Sequence, residues 1–182
     1  MRKDFGVKTW FYPLPVVIIG TYDENGVPNA MNAAWSGIWD YNQVYVSLSK
    51  HKTTDNLTKT RAFTISFADV KHVVEADCVG VVSGNQVPNK LEIAGLHTHK
   101  SAHVNAPIID EFPLTLECNV VSFEEGTLIG EIVNVNADES VLTNGVIDVD
   151  KLQVISFSPA DNSYRVVGKK VGNAFRDGLK LK

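Results

Sequence analysis

Cysteine is scarce in this chain. Only Cys78 and Cys118 occur among 182 residues, far apart and in no CxxC pair. That argues against a disulfide framework, an iron–sulfur cluster and a dithiol redox pair, and leaves two buried free thiols in a reducing cytoplasm. A long basic run is missing too, and the net charge is −4. Nucleic acid is therefore not the expected partner, because neutralising phosphates takes clustered Lys and Arg. Arg2 and Lys3 precede an apolar stretch, but Asp4, Pro13 and Pro15 break it, and its longest unbroken run is Val16 to Ile19. This is too short for a signal core or a membrane span, so the expectation is a soluble cytoplasmic protein that does not engage a membrane. No GxGxxG follows a strand, so no Rossmann nicotinamide site is encoded. No GxSxG surrounds Ser83, and no catalytic triad stands out. Repeats, low-complexity segments and linkers are absent, which predicts one domain over residues 1–182.

What is there reads as short strands. At 44% hydrophobic and 21% charged, the chain has the composition of a globular core. Val16–Tyr22 is a buried strand, and Asn25-Gly26 is a hairpin turn. The return strand is expected from about Asn29 to Trp39. Gln43–Leu48 alternates polar and apolar residues, and so does Ala62–Phe67. Thr54 or Asp55 can cap a short helix through about Thr60. Val70–Val79 and Lys90–Leu96 read as further helices. Leu114–Val120, Thr127–Val135, Gln153–Phe157 and Tyr164–Val167 complete a strand-rich second half. Mostly β structure with peripheral helices, at this strand spacing, predicts a closed antiparallel barrel.

Two stretches break the pattern. Asn29-Ala30-Met31-Asn32-Ala33-Ala34-Trp35-Ser36-Gly37 contains no Val, Ile or Thr, giving up ordinary strand propensity. Small side chains let something flat approach the backbone, either a crowded barrel interior or a planar ligand. The second stretch is Ser49-Lys50-His51-Lys52-Thr53-Thr54, a run of hydroxyls and cations where a strand ends and a helix begins. Helix-terminal N–H groups, the helix dipole and Lys52 favour a negative charge there, while ordinary capping in a solvated loop is the plainer explanation. Taken together, the stretches describe a surface for a flat heterocycle carrying a phosphate.

Those residues also carry a resemblance. "PLPVVIIGTYDENGVPNAMNAAWSG", "SLSKHKTTDNL", "SGNQVPNKLEIAGL" and "APIIDEFPLTLEC", in that order, resemble the flavin reductase-like family with the FMN-binding split barrel, and within it the flavoredoxin branch. The resemblance implies an antiparallel split β-barrel and a homodimer with FMN near the subunit interface. It implies that Asn29, Ala30, Met31, Asn32 and Ala33 line the flavin, with Trp35 beside the ring. Ser47 and Leu48 would continue that platform. Ser49, Lys52, Thr53 and Thr54 would hold the phosphate, with Asn56 nearby, and Ser83, Gly84 and Lys90 would close the other side. Many members carry an acidic residue where Asn89 stands, and Tyr164 is left unassigned. Flavin carries its own redox chemistry, so no protein acid, base or nucleophile is expected. Lys90 or main-chain N–H groups around Ala33 would stabilise the reduced ring. NADH, NADPH or a redox protein would supply electrons.

Rival readings remain. A barrel of this kind also suits a non-catalytic protein binding flavin, pyridoxal phosphate or haem. "HTHKSAH" places His97, His99 and His103 close together, with Asp110 and Glu111 shortly after, so a transition-metal site is a third reading. Solvent-exposed histidines are the plainer expectation.

Overall fold

The computed structural model describes residues 1–181. Strand β1 (Leu14–Pro15) leads into β2 (Val17–Tyr22), which turns at Asn25-Gly26 into β3 (Pro28–Ala33). Gly26 holds a positive φ of 79° there, a conformation that suits glycine. Next come β4 (Ser36–Asp40), β5 (Gln43–Ser47), α1 (Lys52–Thr60), β6 (Ala62–Phe67), α2 (Val73–Val81) and α3 (Lys90–Ile93). The second half holds β7 (Thr98–Lys100), β8 (Pro107–Ile109), the long hairpin β9 (Leu114–Glu124) and β10 (Thr127–Ala137), β11 (Leu142–Thr143) and β12 (Val146–Ile147). It closes with α4 (Val149–Leu152), β13 (Ile155–Ser158) and β14 (Ser163–Val166).

Seven strands form one antiparallel sheet in the order β3-β2-β6-β9-β10-β5-β4. The expected return strand over Asn29–Trp39 is therefore two strands at opposite edges of that sheet. Only Ala34 and Trp35 join them. Two extended residues span roughly 7 Å, so the sheet must curl until its first and last strands meet. Ser47 N–H donates to Trp35 O at 2.8 Å and ties the junction to β5. The result is the expected split barrel, with helices outside.

Strand β2 shows why the sequence reads as it does. Val17 and Ile19 join a core cluster with Val46, Leu57, Phe63 and Leu128. Val16 and Ile18 face the other way, into a cluster with Ala76, Val79, Leu91 and Ile109. Helices cover the outer face, so β2 is apolar on both sides and does not alternate. Gly130 sits where a Cβ would lie 2.3 Å from the Phe63 ring, so the barrel interior closes over that aromatic.

The helix boundaries shift from expectation. α1 begins at Lys52, with His51 as its N-cap residue, and Thr54 reaches back from the third position. α2 begins at Val73 because Asp69 Oδ1 accepts the His72 N–H at 2.8 Å and holds the preceding turn. No helix among the described residues is long and apolar enough to cross a membrane.

Candidate functional site

Strand β3 is the spine of the site. It is an edge strand, so its outer N–H and C=O groups have no ladder partner. Two cavities run along it. The first, about 230 Å³, is lined by residues 31–35, residues 47–49, His51, Phe157 and Tyr164. The second, about 220 Å³, is lined by Asn29, Met31, Asn32, residues 51–53, residues 79–84 and Lys90. Met31, Asn32 and His51 belong to both walls, so the cavities are contiguous.

The asparagines of β3 brace the helices. Asn29 Nδ2 donates to Thr53 Oγ1 at 2.8 Å, and Asn32 Nδ2 donates to Ala76 O at 3.0 Å. These bonds hold α1 and α2 against the strand. Close approach needs glycine on the other side. A Cβ at Gly84 would lie 2.4 Å from Asn29 Oδ1, and one at Gly80 would lie 2.9 Å from Asn32 Cβ.

The second cavity is cationic. Lys52 and Lys90 line it, and no carboxylate does, although the chain has more acids than bases. The N-terminus of α1 opens on it, adding first-turn N–H groups and the positive end of the helix dipole. Lys90 is only 4% exposed, and its Nζ donates to Val79 O and Val82 O, each at 3.1 Å. Burial pulls its pKa down to about 8, with a smaller opposing pull from Cys78. An ammonium has three donors, so one is left. Lys52 Nζ instead leans to Asp23 Oδ2 at 3.4 Å, outside the cavity wall.

The first cavity is aromatic on one side. Trp35 and Phe157 lie 6.1 Å apart between ring centroids, and Phe157 and Tyr164 lie 6.2 Å apart. Tyr164 Oη donates to Asp77 Oδ1 at 2.6 Å. Burial, then Asp77, pushes the Tyr164 hydroxyl up to about 12.

Most of the expected residues converge here. Met31, Asn32, Ala33, Trp35, Ser47 and Leu48 line the first cavity. Asn29, Lys52, Thr53, Ser83, Gly84 and Lys90 line the second. Ser49, expected beside Lys52, lies on the first. Three others stand behind the walls. Ala30 is core. Asn56 is buried and donates to Thr21 Oγ1 at 3.0 Å. The Thr54 hydroxyl accepts the His51 N–H at 2.9 Å and donates to His51 O at 2.8 Å, so it caps α1. Ala34, Phe157 and the end of α2 are wall residues that sequence reasoning missed. Phe157 and Tyr164 are cross-strand partners. They enter from the same chain, far along the sequence, and only an aromatic on each strand of a late hairpin hinted at them.

The histidine-rich segment does not converge. His97 Nδ1 pairs with Glu111 Oε1 at 2.7 Å, and His99 Nδ1 with Asp110 Oδ1 at 2.5 Å. His103 is held through its main-chain N–H to Ser101 Oγ. Among the described residues, no group of three or more His, Cys, Asp or Glu side chains could hold a metal ion.

Comparison with known proteins agrees with this fold. Residues 9–153 match the model of the flavin reductase like domain. Flavoredoxin of Desulfovibrio vulgaris (Miyazaki F) is 37% identical, with 98% of this chain and 100% of that one covered and a TM-score of 0.94. Flavoredoxin from Methanosarcina acetivorans is 26% identical, with both chains 100% covered and a TM-score of 0.89. Nitrilotriacetate monooxygenase component B from Bacillus cereus shares the fold at 21% identity, with 90% and 88% covered and a TM-score of 0.76.

Proposed function

The chain belongs to the flavin reductase-like family, and on that premise we propose that it binds FMN along β3 and acts as an FMN-dependent oxidoreductase or electron carrier of the flavoredoxin type. One observation carries the reading. A carboxylate-free cavity holding two lysines adjoins a cavity walled by main chain and aromatics, and they share Met31, Asn32 and His51. The cationic cavity fits a terminal phosphate dianion. The first fits a flat ring system whose polar edge meets the free N–H and C=O groups of an edge strand.

FMN, when bound, supplies the hydride and electron chemistry. This chain's residues hold and orient it. Lys52, Thr53, Ser83, Gly84 and Lys90 would hold the phosphate. Met31, Ala33, Ser47 and Leu48 form the ring platform. Trp35, Phe157 and Tyr164 would form the aromatic wall beside it. NADH, NADPH or a redox protein donates the electrons.

The working unit is a homodimer of single-domain chains in the cytoplasm. Support for the dimer lies at β4, an edge strand that leaves Trp35, Ile38, Trp39 and neighbouring Tyr41 exposed. An apolar cavity of about 260 Å³ opens beside it between Val17, Ile38, Tyr45 and Phe67. A surface patch of this kind is normally covered.

The test is a visible spectrum followed by anaerobic titration. The purified protein should show oxidised-flavin bands, and NADH or NADPH should bleach them. A protein that stays colourless after incubation with excess FMN refutes the reading.

A further inference from the structure

We propose that Asp23 is a brake on the phosphate end of the site, parking the Lys52 ammonium outside the cavity until a phosphate dianion draws it in. The inference rests on the reading that FMN phosphate docks at the start of α1. Lys52 belongs to the cavity wall through its stem, and its Cβ lies 3.5 Å from where a Gly84 Cβ would be. Its Nζ points elsewhere, to Asp23 Oδ2 at 3.4 Å, and Asp23 is not a wall residue.

The two partners differ in freedom. Asp23 is fixed in the β2–β3 turn, where its Oδ1 accepts the N–H groups of Asn25 and Val27, both at 2.9 Å. Lys52 carries its charge on a flexible four-carbon stem. When a dianion arrives, the lysine moves and the carboxylate stays. The pair is long and partly exposed, at 32% and 14% for the two side chains, which is the readily broken class of ion pair. Lys90, by contrast, is pinned inside by two carbonyls. The subsite thus has one fixed cation and one movable cation. Holding the movable one in reserve lowers affinity for FMN by the amount needed to break the pair.

The experiment measures FMN and riboflavin dissociation constants by flavin fluorescence for the full chain, Asp23→Asn, Lys52→Ala and the double variant. Asn at position 23 keeps an oxygen for the turn N–H groups and removes only the charge; Asp23→Ser serves if Asn disturbs the turn. Asp23→Asn should tighten FMN by about twofold to fivefold. Riboflavin, which lacks the phosphate, should be unchanged, and the FMN gain should vanish when Lys52 is already Ala. Unchanged or weaker FMN binding in Asp23→Asn overturns the brake. A gain that persists in the Lys52→Ala background also overturns it, since that gain would come from direct repulsion. The underlying reading fails separately if Lys52→Ala leaves the ratio of FMN to riboflavin affinity untouched.

Discussion

Replacing Lys90 with Met separates a cation kept for a ligand from one kept for the fold. Met preserves the stem length and apolar contacts but removes the ammonium and its bonds to Val79 O and Val82 O. Depressing the pKa from 10.5 to about 8 means that holding the charge in place at neutral pH costs roughly 3 kcal/mol. The variant recovers that amount. Against it, two carbonyls near the end of α2 lose a donor, at about 1–3 kcal/mol each when buried. The difference runs from about 1 kcal/mol gained to about 3 kcal/mol lost, so unfolding stability without flavin should change by no more than about 3 kcal/mol. FMN affinity should behave differently. Losing a charge-assisted contact of about 1.5–3 kcal/mol predicts a fall of roughly tenfold to a hundredfold. Urea unfolding of the flavin-free protein and fluorescence titration with FMN give both numbers. A loss of more than about 4 kcal/mol in stability with unchanged FMN affinity would refute the reasoning and make Lys90 a staple for α2.

The same lysine sets a pH dependence. Between about 8 and 10.5 the unfolded chain binds more protons at Lys90 than the folded one, so flavin-free stability should rise with pH there, and Lys90→Met should flatten the rise in parallel unfolding curves. Thr54→Ala removes the hydroxyl that closes the α1 cap; it should cost about 1 kcal/mol in thermal unfolding and weaken FMN more than riboflavin, because the start of α1 faces the phosphate cavity. Gly84→Ala would place a Cβ 2.4 Å from Asn29 Oδ1 and push Asn29 off Thr53, so stability should fall by about 1–3 kcal/mol and FMN titration should show weaker binding.

How much the sequence revealed depended on whether the signal was local. Ala62–Phe67 is legible to the residue from its polar–apolar alternation, although burial there does not alternate: Thr64 and Ser66 are buried too, hydrogen-bonded to Pro107 O and Thr115 Oγ1. The Asn29–Ala33 anomaly was legible as well, since giving up β-branched residues needs a reason. The break at Ala34-Trp35 was not. Nothing in local propensity distinguishes one long strand from two strands at opposite edges of a curled sheet. The start of α1 was misplaced because histidine is not a usual N-cap residue, and Thr54 acts from the third helical position. The donor cluster was recognised, but the division of labour within it came from packing. Thr54 and Asn56 turn inward, Thr53 is held by Asn29, and Lys52 lends the cavity its stem while its ammonium leans to Asp23. Phe157 and Tyr164 meet β3 only through long-range pairing, which no short window of sequence encodes.

The two-residue link between β3 and β4 has a mechanical consequence. The curled sheet is hydrogen-bonded from strand to strand all the way from β3 to β4 but not between those two edges, and the first cavity lies along that seam. A molecule lodged there would act as a rivet, fastening two margins that share no ladder of their own. Amide hydrogen exchange at both margins should then slow in concert when the rivet is in place, while the zipped side, from β6 through β10, keeps its own slower rhythm.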